Sequence, residues 1–98
     1  MILEHVILDV RPGQEAAFEA TFAIAKPLIM ASPGWRSLSL QHCVERESRY
    51  LLLVGWDTLD DHLVGFRVSP AYEEWRGLLH HFYDPPPVVE HFEVVTGG

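Results

Sequence analysis

Cysteine is nearly absent from this sequence: Cys43 is the only one in 98 residues. No intramolecular disulfide can form, and no cysteines stand at zinc-ligand spacing, so stability must come from packing and a reducing compartment is expected. Basic residues are also scarce. Seven Lys and Arg against fourteen Asp and Glu give a net charge of -7, which repels phosphate backbones and anionic lipid; neither nucleic acid nor a membrane surface is an expected partner. No apolar run approaches the roughly 18 to 20 residues that span a bilayer, and no positive segment leads into an apolar core at the N-terminus. The expected location is cytoplasmic. G-x-G-x-x-G, P-loop, G-x-S-x-G and H-E-x-x-H patterns are missing too, which removes the usual signatures of hydride, phosphoryl and acyl transfer and of local zinc ligation.

What is present is a core. The chain is 48% hydrophobic and 21% charged, far from the composition of disorder, and its length fits one domain spanning residues 1–98. Met1 to Val10 alternates as a strand, with Ile2, Val6, Leu8 and Val10 on one side and Leu3, His5, Ile7 and Asp9 on the other. Arg11-Pro12-Gly13 ends it. From Gln14 the period becomes helical, with Phe18, Phe22, Ala25 and Ile29 in one stripe and Pro27 expected to kink or break the helix. Ser32-Pro33-Gly34 turns the chain into a strand from Trp35 to Val44, which pairs as a hairpin with Arg49 to Trp56. Both faces of that second strand are apolar, so both need cover.

A short helix follows Thr58, a longer one is predicted from Pro70 to about Phe82, and Asp84-Pro85-Pro86-Pro87 leads to a last strand, Val88 to Val95. The order is β-α-β-β-α-β, an α+β, ferredoxin-like antiparallel sheet with helices on one face. The most economical cover for the opposite face is a second copy, giving a homodimeric α/β barrel.

The segment from Trp56 to Trp75 concentrates the candidate chemistry. Thr58 with Asp61 resembles a capping box, and Ser69-Pro70 is an N-cap followed by proline in the first turn. Regular helical geometry sets His62 about 60° off the stripe of Leu59, Leu63 and Phe66, at the boundary between buried and exposed. There it serves as a general base, since imidazole titrates near neutrality, or else pairs with Asp60 or Asp61 as a half-exposed surface histidine. Tyr72 and Trp75 carry a phenol and an indole N–H that need partners when buried, and are the expected pocket walls. His80 and His81 fall on other sides of that helix and are expected in solvent. His5, His42 and His91 lie on strands; His5 and His91 come close if the first and last strands are neighbours, but no ligand pair at metal spacing accompanies them and no metal is expected.

These elements together resemble the antibiotic biosynthesis monooxygenase family, small dimeric α+β barrels. The likeness rests on Arg11-Pro12-Gly13 after the first strand, the Ala/Phe-rich helix, Pro33-Gly34, Trp56 at the end of the third strand, and Ser69-Pro70 followed by Tyr72. It implies cofactor-independent oxidation of an aromatic polyketide, anthrone or quinol-type substrate by dioxygen: a base deprotonates the substrate, the anion passes an electron to dioxygen, and the resulting peroxide collapses to a quinone. Phe66 stands where many members carry a histidine, or a tryptophan in the haem-degrading branch. Arg76 and Val6 occupy the places of that branch's iron-ligating histidine and its asparagine, which disfavours haem degradation. His62 is then the candidate catalytic base, and Phe66, Tyr72 and Trp75 the candidate substrate-binding residues. The alternative is a non-catalytic dimeric barrel that binds a small apolar ligand or acts as a stress or accessory protein.

Overall fold

Alternating side chains and one apolar helical stripe produce the expected order of elements. The computed structural model describes residues 1–98 throughout. The strands are β1 (Ile2–Asp9), β2 (Trp35–His42), β3 (Arg49–Trp56) and β4 (Val89–Phe92), and the helices are α1 (Glu15–Met30) and α2 (Pro70–Leu79). A π-helix, Asp61–Phe66, precedes α2 and a 3₁₀ turn, His80–Phe82, follows it. All pairings are antiparallel and the strand order is β2-β3-β1-β4. No helix is long and apolar enough to cross a membrane.

One sheet face carries the core. Val6, Leu8, Tyr50, Leu52, Val54 and Trp56 point towards α1 and α2 and are buried there. Phe18, Phe22, Ala25 and Ile29 of α1 meet them, and Trp75 and Leu79 of α2 close the layer. Phe18 is the hub: its ring lies edge-on to Tyr50 at 5.0 Å, to Phe82 at 5.7 Å and to Tyr83 at 5.8 Å, an arrangement that adds electrostatic complementarity to buried area. A register shift between Trp35 and Ser37 leaves Trp35 beside Trp56, so Trp35 packs against the core although simple alternation would turn it away.

Three expectations are corrected here. Helix α1 runs through Pro27 to Met30 without breaking, because the missing amide lies in its last turns and the buried stripe continues across it to Ile29. Helix α2 stops at Leu79 and tightens into the 3₁₀ turn instead of continuing to Phe82. The last strand ends at Phe92, since β1 offers it partners only from Leu3 to Val6; beyond it Val94 and Val95 are exposed.

Both predicted helix starts form. Thr58 Oγ1 donates to Asp61 Oδ2 at 2.9 Å, the Thr58 amide donates to the same oxygen, and the Asp61 amide donates back to Thr58 Oγ1. Ser69 Oγ accepts from the Tyr72 amide at 3.2 Å, with Pro70 in the first turn. Gly34 lies against this first cap. Its φ is +83°, and a Cβ there would stand 2.2 Å from Asp61 Cγ, so Gly34→Ala combines backbone strain with a collision. It should lower unfolding stability by about 1–3 kcal/mol; a urea transition unchanged from the parent would contradict that contact.

Candidate functional site

A cavity of about 100 Å³ opens between the sheet and α2. The four residues singled out from sequence, His62, Phe66, Tyr72 and Trp75, all line it, together with Glu4, Arg67, His80, Tyr83 and aliphatic side chains of β1, α1, β3 and β4. Phe66 and Trp75 are buried and Tyr72 half-buried; Phe66 is edge-on to Tyr72 at 5.6 Å and to Trp75 at 6.0 Å. The wall therefore mixes aromatic and aliphatic side chains, with Glu4 and His62 as its buried polar groups.

His62 is not at a boundary: it is 3% exposed. The reason is the winding of its helix. The Arg67 amide donates to the His62 carbonyl at 2.9 Å, an i to i+5 bond that widens the turn and brings His62 and Phe66 to the buried side while Leu59 faces out. Asp60 and Asp61 are not its partners, since Asp61 caps Thr58. Instead His62 Nε2 lies 3.4 Å from Glu4 Oε1, its Nδ1 lies 2.8 Å from His91 Nε2, and its ring stacks on Trp56 at 5.3 Å and 17°. Trp56 Nε1 donates to the same Glu4 oxygen at 3.0 Å. A four-residue chain results, Trp56–Glu4–His62–His91.

Register explains why these groups meet. Glu4 is opposite Val54 on β3 and His91 on β4, so its side chain and that of His91 share the helix-facing side of the sheet. His5 pairs with Glu90 and takes the other side, where its ring meets Phe92 at 5.4 Å. The strand histidines thus diverge, and His91 meets His62 instead of His5. His42 stacks on Tyr50 at the far edge of the sheet. His80 is corrected as well: the 3₁₀ turn brings it to the cavity wall while His81 stays exposed.

Burial decides the protonation states. Desolvation pushes Glu4 up to about 7, only partly offset by the Trp56 hydrogen bond and the charge of Arg67. It pushes His62 down to about 4, with His91 and Arg67 adding to the effect. His91 and His80 are also lowered, first by burial and then by nearby arginines. A neutral carboxyl beside a neutral imidazole is the favoured pair, since a charged pair here would forfeit the hydration of two ions. The two ring nitrogens of His62 face different partners, so the lone pairs of Glu4, His62 and His91 do not converge on one point, and no three His, Cys, Asp or Glu side chains are arranged to hold a metal ion.

These shifts carry a sign. Between the ordinary values of 4.5 and 6.5 the folded pair holds its proton on Glu4, whereas the unfolded chain holds one on His62. The proton counts match, and the pair adds no slope to stability in that window. Glu4→Gln removes the compensation: the unfolded His62 then binds a proton that the folded one refuses. Stability of the variant should fall as pH drops from about 6.5 towards 4, by on the order of 2–3 kcal/mol more than the parent loses. His80 and His91 give a common slope in both proteins. Denaturant midpoints across a pH series measure the difference, and parallel curves would contradict the assignment.

Fold and site together define a small ferredoxin-like α+β domain with an aromatic cavity and an acid–base cluster. The antibiotic biosynthesis monooxygenase family model matches residues 1–78, and the chain belongs to that family. It is 47% identical over 95 residues to the uncharacterized protein YczJ of Bacillus subtilis (strain 168), covering 97% of this chain and 100% of that one. A crystal structure of a candidate antibiotic biosynthesis monooxygenase from Bordetella bronchiseptica superposes with a TM-score of 0.91 at 41% identity, covering 97% of each chain. A point mutant of SnoaB, a cofactor-independent oxygenase from Streptomyces nogalater, shares the fold with a TM-score of 0.85 at 17% identity, covering 98% of this chain and 94% of that one.

Glu4, Arg67 and Tyr83 were not among the candidates drawn from the sequence, and His91 was weighed there only as a neighbour of His5. Glu4 had a visible signal, a carboxylate in step with Val6, Leu8 and Val10 on the apolar side of β1. His91 shares the parity of Val89, but its meeting with Glu4 depends on a register that no local pattern specifies.

Proposed function

We propose that this domain is a cofactor-independent monooxygenase acting in the cytoplasm on quinol- or phenol-type aromatic substrates. The observation that carries the proposal is the buried acid–base cluster of Glu4, His62 and His91 beside a cavity lined by Phe66, Tyr72 and Trp75. Family membership and the shared fold of SnoaB, itself a cofactor-independent oxygenase, support the class of reaction.

The chemistry needs little machinery. A quinol loses a proton to the cluster, and the electron-rich anion gives one electron to dioxygen. The radicals recombine to a carbon-bound peroxide, which is protonated and loses water. One oxygen atom enters the product, the other leaves as water, and hydroquinone plus dioxygen becomes hydroxyquinone plus water. Phe66, Tyr72 and Trp75 hold the ring and exclude water, and His62 with its partners moves the proton.

Cavity size orders the substrates. About 100 Å³ is less than the roughly 150 Å³ that accommodates benzene, so even one ring requires Arg67 and Tyr72 at the wall to give way. Single-ring quinols should therefore outperform tricyclic anthrones. Oxygen uptake across a panel of both, against boiled protein, tests the proposal. Turnover of a quinol supports it; binding of the panel without any oxygen uptake would overturn it in favour of the ligand-binding alternative.

The working unit proposed is a homodimer. Leu3, Ile7, Leu51, Leu53 and Phe92 share the sheet face that the helices leave open, and Ile7 and Phe92 are 37% and 49% exposed. A second copy would cover them. Sedimentation at micromolar concentration should give twice the chain mass of 11.2 kDa, and a monomer would contradict this.

A further inference from the structure

Both contacts made by Glu4 fall on one oxygen. Oε1 accepts from Trp56 and faces His62, while no protein group bonds Oε2. Oε2 is nevertheless not sealed: the one fully enclosed side-chain nitrogen or oxygen without a partner is Trp35 Nε1. Glu4 lines the cavity, so Oε2 is the carboxyl atom available to a bound molecule. At the other end of the chain His91 is half-buried on the edge strand β4, and only its Nε2 is engaged.

From this geometry we infer that Glu4, rather than His62, is the catalytic residue that exchanges a proton with the substrate, and that His62 and His91 form a proton path from Glu4 Oε1 to solvent. The inference rests on the proposed oxygenase reaction for its substrate but on the Glu4–His62–His91 contacts for its route. With a proton on Oε1, the chain runs outward: Oε1–H donates to His62 Nε2, His62 Nδ1–H donates to His91 Nε2, and His91 Nδ1–H faces water. A substrate proton that arrives at Oε2 is matched by one step along each link and by release of the His91 Nδ1 proton. One proton enters and one leaves. The carboxyl stays neutral, and both imidazoles end as the opposite neutral tautomers. When Oε2 later returns its proton to the peroxide, a solvent proton entering at His91 Nδ1 resets the chain.

The relay thus lets a buried site give and take protons without holding net charge, which burial would penalise. The other groups facing it are Arg67 beyond the π-helix, and His80, Tyr72 and Tyr83 across the cavity. Tyr83 is raised by burial and stays a neutral phenol. Arg67 acts on Glu4, His62 and His91 alike, favouring the ionised carboxylate and disfavouring an imidazolium. None of these interrupts the chain.

Two experiments test the inference. The first needs no substrate: imidazole nitrogen shifts are followed by NMR in the parent and in Glu4→Gln as pH is raised through neutrality. His62 and His91 should switch together from Nδ1–H to Nε2–H, in step with the Glu4 carboxyl at about 7, and the switch should vanish in Glu4→Gln. A His91 that titrates alone, unaffected by Glu4→Gln, would overturn the path. The second uses whichever quinol is turned over. Glu4→Gln should lower kcat about 10²-fold or more, and His91→Ala about tenfold, with KM little changed and the His91→Ala loss recovered by imidazole in the buffer. Full activity of His91→Ala with no response to imidazole overturns the path while leaving the oxygenase intact. Absence of turnover with any quinol, with the coupled switch present, overturns the reaction and leaves the path standing.

Discussion

His62→Ala is expected to lower kcat on any quinol that the parent oxidises by about 10²–10⁴-fold, the usual contribution of a positioned acid–base group. The side chain meets a partner on both sides: Nε2 lies 3.4 Å from Glu4 Oε1, and Nδ1 shares a hydrogen bond with His91 Nε2. Alanine removes both contacts, leaving Glu4 with the Trp56 N–H alone and His91 with no link to the cavity. The ring wall of Phe66, Tyr72 and Trp75 remains, so KM should change far less than kcat, the pattern of an interaction used in the transition state. His62→Gln retains a hydrogen-bonding side chain that cannot relay a proton, and should be nearly as slow. Full turnover by either variant would remove His62 from the mechanism.

Trp56→Ala carries the largest expected stability cost. The indole is fully buried, stacks on His62, and lies 6.0 Å from the Phe66 ring. Truncating a buried tryptophan costs about 3–5 kcal/mol, a large share of the roughly 5–15 kcal/mol that holds a domain together. Loss of the Nε1 donor also strips a partner from a buried carboxyl. Trp56→Phe separates these effects: a ring remains, the stability loss should be only about 1–2 kcal/mol, and Glu4, deprived of the hydrogen bond that lowers it, should move above its value of about 7. The falling limb of turnover against pH, where the neutral carboxyl loses its proton, should shift upward with it. Circular dichroism in urea measures the first effect and the pH profile the second; a Trp56→Phe profile identical to the parent's would separate Trp56 from the site.

The architecture was legible because it repeats. Strand alternation in Ile2 to Val10 and Arg49 to Trp56, and the stripe Phe18, Phe22, Ala25 and Ile29, specify their buried faces many times over. Tyr72 and Trp75 followed from the same logic, as one stripe of α2, while Phe66, on the preceding π-helix, was singled out through the family resemblance. The depth of His62 was not legible, because it depends on one i to i+5 bond that a regular helical period does not encode. His80 came to the cavity for a similar reason, a single tightened turn. Glu4 near the start of the chain and His91 near its end are brought to His62 by sheet register, which is a property of the whole fold.

The central claim is that this acid–base cluster drives insertion of oxygen from dioxygen without a bound redox group. The most direct measurement supplies isotopically labelled dioxygen and a single-ring quinol to purified protein freed of metals and flavin. The expected product carries one labelled oxygen atom, one dioxygen is consumed per product, and His62→Ala gives only the background of boiled protein. A product without label, or the same rate from His62→Ala, would contradict it.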